Sequence, residues 1–178
     1  MTTNRRLHAA VVAAAGYLVV AAITLVAPQP NDHWNAAGRA LEAAFIAGLL
    51  GSVVAIPAVT DYLTQRSFGR LAGRLAQVGY LSMAIASAAS LIKGGDTLGP
   101  VFVLGVFATL LGMLLLGLGG IREGLAPRWT PVVPFASMLV GIALADHGGC
   151  AVIAAGWIVM TVVMSSSSTA APAATAVA

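Results

Sequence analysis

Charged side chains are scarce in this sequence, since Lys, Arg, Asp and Glu together make up 8% of its 178 residues, against about 25% in soluble domains. Hydrophobic residues account for 59% of the chain, and the mean hydropathy is +0.93. A water-soluble fold of this length has too little interior to bury so much apolar surface. The composition therefore excludes a soluble globular domain and predicts an all-α, polytopic membrane protein.

Cysteine is nearly absent as well, and the common catalytic motifs are missing. The single thiol, Cys150, excludes an internal disulfide, a paired-cysteine redox site and a cysteine-rich metal site. The sequence has no phosphate-binding P-loop, no dinucleotide glycine motif, no HExxH and no GxSxG. We therefore expect no cofactor, no metal and no nucleic-acid partner, and we interpret the net charge of +3 as a signal of membrane topology.

Long apolar runs are abundant, and each is compatible with a membrane crossing of about 20 residues. They predict a helical bundle because lipid offers the backbone no hydrogen-bond partners. We treat residues 1–164 as one integral membrane domain and the Ser- and Ala-rich residues 165–178 as a disordered tail. About six transmembrane helices are predicted, at residues 7–27, 38–59, 75–92, 99–121, 130–145 and 148–164.

The basic residues predict a cytoplasmic N-terminus. The segment that follows Arg5 and Arg6 is longer than the apolar region of a signal peptide, so we interpret it as a retained first span. With the N-terminus inside, only Arg39 and Lys93 of the nine basic residues lie outside, as the positive-inside rule requires. The other seven are Arg5, Arg6, Arg66, Arg70, Arg74, Arg122 and Arg128. We expect a multi-pass protein of the cell membrane.

Residues 61–78 allow two interpretations. Arg66, Arg70 and Arg74 are spaced four apart, so this segment can form a helix on the inner membrane surface, with its arginines toward anionic headgroups. We favour an ordinary basic loop leading into the third span, because Gly69 and Gly73 weaken an independent helix.

Small residues predict which helices pack together. In the fourth span Gly105, Gly112 and Gly119 recur every seven residues, with Thr109 between the first two. Such a stripe allows another helix to approach closely in lipid. Because the third span is rich in Ala and Ser, we expect the third and fourth spans to be neighbours.

The segment ADHGGC, residues 145–150, interrupts an apolar run from Pro131 to Met164. A continuous helix of that length would rise about 51 Å, far more than a bilayer requires, so the chain must break. We favour a turn between two short spans on the outer side. The alternative is a re-entrant hairpin with its turn at membrane depth, which would leave five transmembrane helices.

Three residues are candidate catalytic groups. Glu42 lies near the start of the second span, and ionisable residues inside membranes are functional candidates by default. It is also close to a helix N-terminus and three residues from Arg39, so a structural role is a strong alternative. Asp146 and His147 are the other two candidates.

Four further residues are candidate ligand-binding groups: Asp32, His33, Asp96 and Trp157. The Asp-His pairs at 32–33 and 146–147 contain ligand types that zinc accepts. We favour ordinary interfacial histidines over a metal site, because adjacent side chains diverge. Trp157 lies within the last span, where packing between helices is the commoner role.

We favour a non-catalytic accessory or scaffold component of the membrane as the function. One alternative is a membrane-embedded enzyme that uses a carboxylate as a general acid on a lipophilic substrate, of the cyclase or isomerase type. The second alternative is a small proton-coupled transporter. The expected partners are the lipid bilayer and, for a binding or catalytic role, a lipophilic small molecule; the oligomeric state does not follow from the sequence.

Overall fold

The structure is a computed structural model that describes residues 3–27, 35–93 and 98–169. Within these residues the chain is helical apart from short turns. No strand occurs in these ranges. Two short 3-10 turns, Thr130–Val132 and Ala145–His147, precede the last two helices. The six α-helices are α1 (Thr3–Val26), α2 (Ala36–Leu63), α3 (Ser67–Lys93), α4 (Gly99–Glu123), α5 (Val133–Ala143) and α6 (Cys150–Thr169). The predicted all-α bundle is confirmed.

Four helices, α1 to α4, are long and apolar enough to cross a membrane. The outer surface of the bundle is also apolar, since large side chains such as Leu104, Phe107 and Ile92 are 68%, 65% and 83% exposed. An apolar surface of this extent is unfavourable in water and favourable against lipid tails. The fold therefore fits a membrane protein.

The six helices form a closed ring. Each helix packs against the next one in the chain, and α6 closes the ring by packing against α1. Across the ring, α2 also touches α4 and α6. Large buried side chains fill much of the centre: Tyr17, Leu49, Tyr80, Met83, Met113, Met138, Trp157 and Met160.

The predicted pairing of the third and fourth spans is confirmed. A Cβ atom added to Gly105 of α4 would lie 2.8 Å from the carbonyl oxygen of Gly79 on α3, and one added to Gly112 would lie 2.8 Å from that of Ala72. Such distances leave no room for a side chain. Glycine in the stripe therefore lets the two backbones touch, which is how close packing replaces the hydrophobic effect in lipid.

The helices α1 and α2 pack in the same way, at positions that sequence analysis did not identify. A Cβ on Gly16 would lie 2.6 Å from the backbone nitrogen of Gly48, and one on Gly51 would lie 2.6 Å from that of Ala13. These glycines do not repeat every seven residues along one helix, so no stripe was visible in the sequence.

The prediction of a loop before the third span is wrong. The helix α3 begins at Ser67, and its first two turns include Arg70 and Arg74. The glycines that would weaken an isolated helix have a packing role here. A Cβ on Gly69 would collide with the side chain of Thr64, the residue that follows α2, and one on Gly73 would collide with that of Thr60 in α2. Tertiary contact thus overrides the low helix propensity of glycine.

We call the end of the bundle where α2 ends and α3 begins the basic end. There the Glu123 carboxylate of α4 accepts hydrogen bonds from the Thr64 hydroxyl and, at 2.8 Å, from the backbone N–H of Gln65. The chain between α2 and α3 is thereby tied to the end of α4. At the opposite end, α1 ends and α2 begins, with Asn35 capping α2 by accepting a hydrogen bond from the N–H of Gly38.

The ADHGGC segment forms the turn between α5 and α6, and this turn lies at the opposite end. Gly148, at a φ of +77° that favours glycine, is so close to Leu25 that an added Cβ would lie 3.2 Å from its side chain. Leu25 is one residue from the end of α1. We call the two 3-10 turns and the α5 helix between them, residues 130–147, the α5 region. Pro131, at its start, packs against Gly117 and Gly120 near the basic end.

The α5 region therefore runs from one end of the bundle to the other. Its helix and the two 3-10 turns together rise about 28 Å, close to the thickness of a bilayer core. The ADHGGC turn thus lies beside the end of α1 and not at the middle of the bundle. The last helix, α6, continues to Thr169, which is beyond the predicted end at residue 164.

Candidate functional site

An apolar cavity of about 160 Å³ lies inside the ring. All six helices contribute to its wall, which places it at the centre of the bundle. Its lining residues are Tyr17 from α1, Phe45 and Leu49 from α2, Met83 from α3, Phe102 and Val106 from α4, Met138, Gly141 and Ile142 from α5, Ala145 from the turn, and Cys150 and Ile153 from α6. Because the lining includes Ala145 and Cys150, the cavity lies toward the end of the bundle that carries the ADHGGC turn.

Three aromatic rings in contact form part of the cavity wall. The centroids of Tyr17 and Phe45 are 6.1 Å apart in an edge-on arrangement, and those of Phe45 and Phe102 are also 6.1 Å apart. Such pairs are favourable beyond the area they bury. Together they join α1, α2 and α4 and give the cavity a rigid, apolar side.

The polar atoms of the tyrosines near the cavity already have partners. The Ser52 hydroxyl donates a hydrogen bond to the carbonyl oxygen of Gly48 at 2.9 Å. Because the Ser52 hydrogen is used there, the Tyr17 hydroxyl donates to Ser52 Oγ, which is 3.3 Å away. The Tyr80 hydroxyl donates to Met138 Sδ at 3.6 Å. The wall thus presents carbon and sulfur, and it suits an apolar molecule more than a polar one.

Glu42 faces the interior of the bundle. It is 8% exposed, and it lies seven residues before Leu49 and fourteen before Ile56, both of which are buried. That spacing places the three on one face of α2. Glu42 is one turn from the cavity-lining Phe45, toward the start of the helix, whereas Arg39 is exposed.

The other two candidate catalytic residues are in a different environment. Asp146 and His147 are both exposed, in the 3-10 turn that follows α5. Their neighbour Ala145 lines the cavity, but neither of the two does. The buried carboxylate and the exposed Asp-His pair are therefore not brought together in the cavity wall.

The candidate ligand-binding residues Asp32, His33 and Asp96 lie outside the described residues. Trp157 is 5% exposed and packs beside Tyr80, with ring centroids 6.5 Å apart. It is not among the residues that line the central cavity. Within the described ranges, no three His, Cys, Asp or Glu side chains are grouped so that they could hold a metal ion.

Sequence analysis did not identify the residues that form the cavity wall. Phe45, Met83 and Met138 are ordinary apolar residues in apolar helices, and the lipid-facing side of each helix has the same composition. In a soluble helix the polar side would reveal the buried one, and that contrast is missing here. The seven-residue spacing of Glu42, Leu49 and Ile56 was the one available signal for an interior face.

The fold and cavity together define a class, a six-helix bundle of the membrane-protein type that encloses an apolar chamber. Comparison of the chain with protein-family models, with curated proteins and with solved structures finds no match in any of the three.

Proposed function

We propose that this protein is a non-catalytic component of the cell membrane that binds a small apolar molecule, or the end of a lipid chain, in its central cavity. The observation that carries the proposal is the cavity wall, to which all six helices contribute and in which the described part of the chain places no carboxylate, imidazole, amine or guanidinium group. This wall supplies shape and apolar contact, and the ionisable side chains among its described residues are the Tyr17 hydroxyl, which is hydrogen-bonded to Ser52, and the Cys150 thiol.

The size of the cavity supports occupancy. Protein interiors have few voids larger than a water molecule, so a cavity of about 160 Å³ among six packed helices is unusually large. Apolar cavities of about 150 Å³ stay free of water and bind benzene. A ring-sized hydrocarbon group, or a few carbons at the end of a chain, fits this volume.

A ligand has a route from the lipid between α4 and α5. Of the neighbouring helix pairs around the ring, α4 and α5 have the least extensive contact. Both helices contribute to the cavity wall. Ile142 of α5 is 37% exposed while also lining the cavity. An apolar molecule dissolved in the membrane would thus reach the cavity without crossing water.

The orientation that we propose has the basic end in the cytoplasm. Arg66, Arg70 and Arg74 lie where α2 ends and α3 begins, and Arg122 lies at the end of α4. The opposite end has Arg39 and Lys93. The positive-inside rule then places the N-terminus in the cytoplasm and the ADHGGC turn outside.

Solvent extraction of the purified protein, followed by mass spectrometry, tests the proposal. The wild type should retain an apolar compound at close to one per chain, whereas Val106→Phe, which places a ring in the cavity, should lose most of it. Val103→Phe is the matched control, because Val103 lies on the same helix but is 50% exposed. Equal retention by Val106→Phe and Val103→Phe would place the compound elsewhere and refute the proposal.

A second candidate function, carboxylate chemistry on the bound molecule, is favoured by the inward burial of Glu42 one turn from the cavity wall. Glu42→Gln separates the possibilities. If the protein is a binding component, this variant retains the compound as the wild type does. Loss of a chemical conversion would support an enzyme of the cyclase or isomerase type, and loss of pH-coupled movement would support a transporter.

A further inference from the structure

A second cavity of about 190 Å³ lies between α2 and α3 near the basic end. It is more open than the central one and has a mixed lining. Toward the basic end the lining includes Asp61, Arg70 and Arg74, and toward the middle of the bundle it includes Ile56, Pro57 and Gln77. We refer to it as the α2–α3 groove.

The two arginines are held at a fixed spacing by the helix. Arg70 and Arg74 are both exposed and lie four residues apart on α3, so their Cβ atoms are about 6 Å apart on one face. Between them, Gly73 packs directly against Thr60 of α2. The close contact at Gly73 brings both guanidinium groups to the edge of the groove.

The inner part of the groove is apolar because its polar atoms are already paired. Pro57 has no N–H, so the carbonyl oxygen of Val53 lacks its usual donor four residues later. The Gln77 side-chain amide donates to that oxygen at 2.9 Å. The ring of Pro57, which is partly exposed, therefore presents an apolar surface in this part of the groove, with the buried Ile56 behind it.

We propose that the α2–α3 groove binds an anionic phospholipid. Arg70 and Arg74 contact the phosphate, and the beginning of an acyl chain lies against the Pro57 ring. With Asp61 included, the groove has a net charge of +1 from its two arginines and one aspartate, which complements a phosphodiester of charge −1. Basic pockets between membrane helices on the cytoplasmic side are known to suit such headgroups. The site is separate from the central cavity, so it stands or falls independently of the proposed function.

Native mass spectrometry with phosphatidylglycerol as the probe tests this site. Purified protein in phosphatidylcholine nanodiscs is titrated with phosphatidylglycerol, and the lipid retained after release is counted. A direct hydrogen bond from a guanidinium group to the phosphate strengthens binding by about fivefold or more. We therefore expect Arg70→Gln and Arg74→Gln each to weaken retention about fivefold, and the double variant to weaken it roughly thirtyfold.

Arg122→Gln is the matched control, because it removes one positive charge at the same end of the bundle but outside the groove. It should retain phosphatidylglycerol within about twofold of the wild type, since charges outside the groove act only through the screened surface field. If Arg122→Gln and Arg70→Gln weaken retention equally, the effect is that of general surface charge and the proposal fails. The proposal also fails if inorganic phosphate displaces the lipid at equal concentration, because the site would then recognise free phosphate.

Discussion

The side-chain amide of Gln77 in α3 donates a hydrogen bond of 2.9 Å to the carbonyl oxygen of Val53 in α2. That oxygen is the acceptor that Pro57 leaves without its usual donor inside α2. A defect in one helix is therefore corrected by the neighbouring helix, and α2 continues as a helix to Leu63.

This relationship predicts a coupling between Gln77 and Pro57. Gln77→Leu should lower the free energy of unfolding by about 1 kcal/mol, the usual range for a hydrogen bond between membrane helices. In a Pro57→Ala background, where residue 57 supplies an N–H to Val53, the same substitution should cost much less. Unfolding of the four proteins in mixed micelles gives the coupling free energy, and equal costs in both backgrounds would show that the bond contributes nothing.

The glycine stripe of α4 predicts opposite outcomes for a glycine-to-alanine change at two of its positions. Gly112→Ala places a Cβ 2.8 Å from Ala72 O, so the backbones must separate, and overpacking of this kind costs about 1 to 3 kcal/mol. Gly119→Ala, seven residues later, meets no atom closer than Gly69 Cα at 3.9 Å. It should be neutral, or stabilising by up to about 1 kcal/mol through helix propensity.

Thermal unfolding of the two variants in the same detergent checks this contrast. A lower melting temperature for Gly112→Ala, with no decrease for Gly119→Ala, is the expected result. If both variants are as stable as the wild type, α3 and α4 do not approach through the stripe.

The proposed topology predicts different labelling at the two ends of the α5 region. In a Cys150→Ala background, His147→Cys should react with a membrane-impermeant maleimide added to intact cells, because His147 is exposed in the turn that we place outside. Arg128→Cys, exposed near the basic end, should react only after the membrane is permeabilised. The reverse pattern would invert the orientation, and labelling of both from outside would contradict a crossing between them.

Much of the architecture follows from the sequence because the bilayer imposes it. Apolar runs of sufficient length must be helical in lipid, so the predicted bundle of helices is confirmed, and the Gly105 and Gly112 stripe identified a correct helix pair. The start of α3 was predicted wrongly, because Gly69 and Gly73 look like helix breakers until the packing of Thr64 and Thr60 against them is known.

The candidate sites were harder to predict than the fold. Sequence analysis selects ionisable residues, and it selected Glu42, Asp146 and His147 for that reason, but the central cavity is bounded by residues such as Phe45 and Met138. The helix side that faces the cavity and the side that faces lipid are equally apolar, so periodicity does not separate them. The ring closure of α6 on α1 is a long-range contact that no local pattern encodes.

The rate at which N-ethylmaleimide alkylates Cys150 tests the central cavity most directly, because this single thiol lies in the cavity wall. Once the retained compound has been removed, benzene at about ten times its dissociation constant should slow the reaction roughly tenfold in the wild type and in Val103→Phe, since only the unoccupied fraction reacts. Val106→Phe should react slowly with or without benzene. Equal rates in all three proteins, unchanged by benzene, would contradict an apolar binding cavity.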